Sequence, residues 1–273
     1  MVKIKPGSEK SKMHKKIAIS IVVYKKYDDA LEAVKSIEEN TNPILDKIIY
    51  IIDNSCLEDN NITRVEFENC LLTYRDVVYI NTKQNLGFGK GHNYTIDILD
   101  TDYFAIVNPD ILITHGVFEK IVSFMETNDA GMVIPRIVDA DGKLQDAYRR
   151  QLTVVDMFLR MFTKNICMRR KAYHSMKDKD YSTSFNVPFG QGSFLVIRTD
   201  LWKKLDGFDD RFFMYLEDAD LCRRVNDEST LVYYPEAEVI HKWEKESHKN
   251  KKLFAIHLKS MFEYFNKWGW KIF

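Results

Sequence analysis

Long apolar runs are missing from this chain of 273 residues: its strongest hydrophobic stretches, such as "IAISIVVY", are strand-sized, far short of the roughly 20 residues that span a bilayer. The expectation is a protein with no transmembrane helix and no signal peptide. Cysteine is also scarce. Cys56, Cys70, Cys167 and Cys222 stand far apart and form neither a C-x-x-C pair nor a Cys/His zinc spacing, so reduced structural thiols and a cytosolic location are the default. An excess of either charge is lacking too, because Lys+Arg and Asp+Glu are both 40. Nothing global therefore points to nucleic acid as a partner. Internal repeats and a clean linker are absent, while 45% hydrophobic residues supply ample core. One large α/β domain is the expected organisation.

The opening "MVKIKPGSEKSKMHKK" is basic and aperiodic, and reads as a flexible leader over residues 1–15. From Ile17 apolar runs alternate with amphipathic stretches: "IAISIVV", a helix over Asp28–Glu39, "KIIYIID", "VVYIN", a helix-like Gly91–Leu99, "YFAIVNPD", a helix over Val117–Met125, then "GMVIP". Such alternation implies right-handed crossovers and a mainly parallel sheet. Beyond Pro135, "DADGKLQD" reads as a hairpin turn, and 149–184 as a charged, irregular segment. Near the end, "STLVYYPEAEVIH" reads as two short strands split by a proline, followed by a helix over Lys252–Phe265.

In open parallel sheets ligands sit at the carboxyl ends of strands. Polar residues follow four successive runs here, in "VVYKKYD", "IIDNS", "NTKQNLGFGKGHN" and "VNPD". Any one of them is an ordinary turn, but four on one edge point to a cleft. The glycines Gly87, Gly89 and Gly91 are spaced G-x-G-x-G away from the first strand, which rejects a dinucleotide fingerprint. Close backbone approach to a ligand and a flexible turn are equal readings of them. Asp110 offers a hard oxygen to magnesium or manganese on a diphosphate, which needs only one or two protein carboxylates. His241 follows a strand and adds a nitrogen better suited to manganese, although a strand-end histidine is more often just a hydrogen-bonded residue. The stretch "FFMYLEDADLCRR" places Glu217, Asp218 and Asp220 together, either as a helix cap or as a base at a cleft wall. Asp220, two residues on, should face away from Asp218, with Arg223 and Arg224 as partners for these acids.

Taken in order, "SIVVYKKYDDALEAVKSI", "IIDNS", "NLGFGKGHN", "NPD", "GQGSFLVIRTDLWKKLDGFDDRFFMYLEDADLCRRV" and "VIHKWEKES" resemble the family 2 glycosyltransferases, and within them the rhamnosyltransferase-like branch, from Ile17 to about Ser247. The resemblance implies a GT-A fold, that is, a single Rossmann-like, mixed but mainly parallel sheet flanked by helices. It also implies a nucleoside-diphosphate-sugar donor, a divalent cation (Mn2+ or Mg2+) and inversion at the anomeric carbon. Asp53 matches the nucleobase-binding aspartate, Asp110 the metal aspartate of D-x-D, and Asp218 the base of the E-D motif, with Glu217 orienting it or holding the acceptor. His241 matches a histidine near the diphosphate or metal, and Gly192 an acceptor-side glycine turn. Asn108 departs from the first Asp of D-x-D. Tyr24, Asn85 and Gly87 complete the donor-binding candidates.

The implied division is a catalytic domain over 16–250, with a nucleotide-sugar half to about 135 and an acceptor half beyond it, then an amphipathic aromatic and basic helix over 251–273. The function expected is transfer of rhamnose or another hexose from a UDP- or dTDP-sugar to a saccharide or polyprenyl-diphosphate-linked acceptor in surface polysaccharide synthesis. The rivals are a nucleotide-sugar-binding protein without turnover and a nucleotidyltransferase. The latter should carry glycines right after the first strand, and "VVYKKYDD" lacks them. Peripheral contact with the inner face of the plasma membrane, for which the terminal Phe254, Phe262, Phe265, Trp268, Trp270 and Phe273 argue, and a homodimer both remain open.

Overall fold

The computed structural model describes residues 15–56, 62–163, 165–242 and 251–273. All but the last residue of the basic leader, and the "WEKES" end of the last motif, lie outside them. Eleven strands occur among the described residues: β1 (Lys16–Val23), β2 (Asp46–Asp53), β3 (Val77–Asn81), β4 (Tyr103–Val107), β5 (Ile111–Ile113), β6 (Met132–Val138), β7 (Tyr148–Arg149), β8 (Phe185–Asn186), β9 (Phe189–Gly190), β10 (Phe194–Arg198) and β11 (Leu231–His241). Nine helices accompany them: α1 (Tyr27–Asn40), α2 (Ile62–Leu71), α3 (Phe88–Asn93), α4 (Val117–Thr127), α5 (Val154–Phe162), α6 (Met168–His174), α7 (Thr199–Lys204), α8 (Glu217–Glu228) and α9 (Lys251–Trp268).

Ile17, Ala18, Ile19 and Ile21 are all fully buried, so β1 is covered on both faces, which is why its sequence shows no polar alternation. α1 closes one face with Tyr27, Ala30, Ala33, Val34 and Ile37, the i, i+3, i+4 spacing of an amphipathic helix. The main sheet runs β3-β2-β1-β4-β10-β6-β11-β5, with β8 paired to β11. β3, β2, β1 and β4 are parallel, and β10 enters antiparallel to β4. Order reverses at β1, which lies between β2 and β4, and this puts a switch-point crevice at their carboxyl ends. Register brings Val23, Asp53 and Asn81 level on that edge.

Three local expectations need correction. The segment 149–184 is not irregular: α5 and α6 lie within it, joined where Asp156 receives Arg170 at 2.6 Å and the Thr153 hydroxyl at 2.7 Å. β11 is one strand rather than two, because Pro235 falls in a register shift between Tyr234 and Glu238 where no ladder hydrogen bond is asked of it. The helix expected over Gly91–Leu99 begins earlier, at Phe88, and ends at Asn93, with a separate 3-10 turn at Ile96–Ile98.

Candidate active site

Two clusters face one another across the carboxyl edge of β4. Asn108 and Asp110 leave that strand in a turn closed by the Ile111 N–H donating to the Asn108 carbonyl at 3.2 Å. β5 then pairs antiparallel with β11, Ile111 opposite His241. This pairing sets His241 Nε2 3.3 Å from Asp110 Oδ2. Gln145 fixes the ring, its Oε1 2.9 Å from Nδ1 while its Nε2 donates to the His241 carbonyl at 2.9 Å. Asn108 Oδ1 and Asp110 Oδ1 are buried and accept no hydrogen bond among the described residues. Buried oxygens of that kind are costly unless a donor or cation meets them.

The second cluster grows from α8. Tyr215 and Leu216 have φ of 72° and 66°, a left-handed pair of non-glycine residues worth on the order of 1–3 kcal/mol of strain each. The helix starts abruptly after them with Glu217 and Asp218. Strain there is held by α9, whose Ser260 hydroxyl donates to the Met214 carbonyl at 2.8 Å and whose His257 ring stacks on Tyr215 at 4.8 Å. Asp218 Oδ2 accepts the Gly192 N–H at 3.0 Å, and Oδ1 the Ala219 N–H at 2.8 Å. Burial pushes the Asp218 carboxyl up, while those N–H groups and the nearby Arg149 and Arg160 charges oppose the rise. Glu217 is pushed well above the carboxylate range by burial first and by the Asp218 charge second. Its Oε2 is buried without a hydrogen-bond partner among the described residues, and no hydrogen bond joins it to Asp218. Both carboxyls of the pair are thus raised by burial, Glu217 the further of the two.

One backbone bridge connects the clusters. The Asn108 N–H donates to the Ser193 carbonyl at 2.9 Å, next to the Gly192 that holds Asp218. A Cβ on Gly192 would stand 3.0 Å from the Asp218 Cβ, so glycine is what lets α8 approach.

The donor-side candidates are placed less simply. Tyr24 is 45% exposed at the open edge beyond β1. Asp53 is fully buried, and its carboxylate is already occupied by the Ser55 N–H at 2.8 Å and the hydroxyls of Tyr79 at 2.7 Å and Tyr27 at 3.2 Å. In this arrangement the Asp53 carboxylate is held by those three donors. Asn85 Oδ1 caps the Gly87 N–H at 3.0 Å. Gly87 has φ +81°, and a Cβ there would meet the Phe213 carbonyl oxygen at 2.1 Å. Those glycines admit protein, not ligand, so the loop at 85–93 packs on the aromatic run before α8. Asp220 faces away from Asp218 as expected, fully buried against Arg224 at 2.8 Å, Lys267 at 2.6 Å and the Trp268 indole N–H at 2.8 Å. Arg223 stacks on Trp268 at 4.2 Å. Sequence reasoning missed Gln145, Ser193 and Arg149, since none lies in a recognisable spacing and each is brought in by tertiary contact.

The family model described as Glycosyl transferase family 2 matches residues 18–206, more than half of the chain. The chain is a family 2 glycosyltransferase. It is 29% identical over 191 residues to the Escherichia coli K12 rhamnosyltransferase WbbL, covering 65% of this chain and 70% of that protein. It is 28% identical over 200 residues to the Mycobacterium tuberculosis N-acetylglucosaminyl-diphospho-decaprenol L-rhamnosyltransferase, covering 68% of this chain and 65% of that one. The chain thus spans about two thirds of the length of these relatives. Among solved structures, GalNAc-T7 with UDP, GalNAc and Mn2+ superposes with a TM-score of 0.65 at 14% identity, over 85% of this chain and 44% of that one. The Pyrobaculum calidifontis mannosyltransferase PcManGT, in complex with GDP-Man and Mn2+, gives 0.63 at 11% identity, over 93% and 65%. Likeness at that identity establishes the fold, and the fold of this family 2 glycosyltransferase is GT-A.

Proposed function

We propose that the chain transfers a hexose, rhamnose being the first candidate, from a UDP- or dTDP-sugar to a saccharide or polyprenyl-diphosphate-linked acceptor, with inversion, in the assembly of a surface polysaccharide. The observation that carries this reading is the pairing of a buried Asp218, held by the Gly192 N–H, with Asp110 and His241 across a backbone bridge. In an inverting displacement the acceptor hydroxyl attacks the anomeric carbon opposite the leaving diphosphate. Asp218 takes its proton as the bond forms. Glu217, pushed well above the carboxylate range, would hold its proton beside an ionised Asp218 and offer it to an acceptor oxygen. Tyr24 lies at the open edge where a base ring would stack, with Asp53 holding the floor beneath through Tyr27, Tyr79 and Ser55.

The residues fit a cation bound together with a diphosphate. Asp110 supplies a buried oxygen without a hydrogen-bond partner, His241 a nitrogen oriented by Gln145, and Asn108 a neutral oxygen. Among the described residues no group of three His, Cys, Asp or Glu could hold an ion alone, as expected when phosphate oxygens and water complete the shell. A divalent cation bound there would neutralise charge on the leaving diphosphate. Asp110→Ala should weaken UDP binding in Mn2+ by about tenfold or more and leave metal-free binding unchanged, as read by calorimetry. No UDP or dTDP binding by the parent protein would overturn the donor assignment, and unchanged Mn2+-dependent affinity in the variant would remove Asp110 from the site.

The membrane contact we propose is a face made jointly by α5 and α9. Phe158 and Phe162 are each 55% exposed and Phe254 43%, with ring centroids 5.0 and 6.1 Å apart. Ile166 and Met168 continue the patch. The tail is stitched to it, because the Val154 and Val155 N–H groups donate to the carbonyls of Lys271 and Ile272 at 2.9 and 3.2 Å. Exposed Arg169 stands on α6 and exposed Lys251 at the start of α9. Aromatic rings beside cations suit an anionic lipid surface, and no helix among the described residues is long and apolar enough to cross a membrane.

A further inference from the structure

Arg149 is anomalous. It is 96% buried by side-chain packing, at 4% exposure, yet among the described residues it forms no salt bridge. Its guanidinium stacks over Phe189 at 5.2 Å and donates one hydrogen bond, to the Asp146 carbonyl at 2.9 Å. Arginines this deep are normally paired. Its strand explains the position: β7 pairs with β9, Arg149 opposite Phe189, and β9 leads within two residues to Gly192 and hence to Asp218. A second arginine, Arg160, comes from α5 and makes no hydrogen bond or salt bridge among the described residues. Arg149, Arg160 and Asp218 lie within electrostatic range of one another. His174, the other cationic candidate nearby, is buried and held neutral, its pKa lowered to about 4 first by burial.

The charges around the base are therefore a buried, held guanidinium from Arg149 and a second, exposed one from Arg160 against one carboxylate. Asp218 cannot satisfy both and also receive an acceptor proton. The site is short of one anion, and guanidinium groups recognise phosphate by paired N–H donors. Donor diphosphate is accounted for elsewhere, at Asp110 and His241. Arg149 stands in β7, paired with the β9 that leads to Gly192, and Arg160 stands on α5. α5 also carries the exposed Phe158 and Phe162, so a chain leaving Arg160 would meet an apolar face on the same helix.

We propose that Arg149 and Arg160 bind the phosphate or diphosphate of the acceptor, placing the hydroxyl of its first sugar at Asp218. This rests on the assignment of Asp218 as base. It makes the acceptor class a lipid-diphosphate-linked saccharide rather than a neutral glycan, and it gives α5 two jobs, a cationic contact through Arg160 and an apolar one through Phe158 and Phe162.

The experiment uses the whole chain saturated with UDP and Mn2+, so that the donor site is filled, and titrates farnesyl diphosphate and farnesol by calorimetry below their aggregation limits. Farnesyl diphosphate should bind at least tenfold more tightly than farnesol. Arg160→Gln, at an exposed position with no contact to lose, should weaken farnesyl diphosphate about tenfold or more and leave UDP affinity unchanged. Arg149→Lys, which keeps the charge and loses the fork, should weaken it less than Arg149→Gln. Equal binding of the diphosphate and the alcohol, or an unchanged affinity in Arg160→Gln, would overturn the proposal. Competition between farnesyl diphosphate and UDP would overturn it as well, by assigning the arginines to the donor. If UDP itself fails to bind, it is the donor reading that falls, while arginine-dependent diphosphate binding remains a separate result.

Discussion

At the residue scale the chemistry depends on how two adjacent acids share one charge. Glu217 is buried with no hydrogen-bond partner at Oε2 among the described residues, and burial together with the Asp218 charge holds its carboxyl far above the ordinary range. A carboxyl raised in the folded state contributes stability that is complete below its unfolded value and is lost as pH rises through its folded value. Glu217→Gln, which cannot ionise, should therefore match the parent in acid and exceed it increasingly toward alkaline pH, which thermal unfolding from pH 4 to 9 would record. The same substitution should leave the acid limb of the transfer profile where Asp218 puts it, because Glu217 is already neutral there. A limb that moves would mean Glu217 carries the charge. The clustering of the acidic stretch was legible, since three carboxylates after an aromatic run are unusual. The donors that hold Asp218 were not, because Gly192 lies 26 residues away and reaches it only when β9, β10 and α8 assemble. Asp53 shows the converse: its strand-end position was readable, but its saturation by Tyr27 and Tyr79 was not.

At the element scale the central strands were legible because burial on both faces leaves continuous apolar runs, as in β1 and β4. α5 and α6 were not, because Phe158, Phe162 and Ile166 point outward and erase the contrast between faces on which a periodicity reading depends. α9 illustrates a divided helix. Tyr264 and Phe265 are buried and Lys267 and Trp268 clamp Asp220, while Phe254 and Phe262 are exposed. Cutting the clamp should be severe: Asp220→Ala leaves Arg224 and Lys267 without their shared carboxylate and should cost about 3–5 kcal/mol, measured by denaturant unfolding, with transfer failing as the turn at 214–216 loses α9. A loss under 1 kcal/mol would mean that the tether is peripheral. The outer face is tested separately by Phe158→Ser with Phe162→Ser. Co-sedimentation with anionic vesicles should fall several-fold while the melting temperature holds, since both rings are more than half exposed. Equal, negligible sedimentation of parent and variant would remove the membrane from the picture.

At the scale of the whole molecule, the sheet order places two halves of a reaction on one edge. In the reading proposed above, parallel β3, β2, β1 and β4 would supply the nucleotide side, and β10, antiparallel to β4, leads from the Gly192 loop whose N–H holds Asp218 of α8. A binding protein without turnover would need the first half only. The proposed role of the second half, with its strained entry to α8 and its buried Asp218, is to take the acceptor proton. The decisive measurement is therefore a paired one on Asp218→Asn: release of nucleoside diphosphate from UDP- and dTDP-sugars in Mn2+, set beside calorimetric binding of the nucleoside diphosphate. Loss of the base should lower turnover by about 10²–10⁴-fold with donor affinity unchanged within a factor of two or so. Turnover that survives in the Asn variant, or donor binding that falls in step with it, would contradict the assignment of Asp218 as the base.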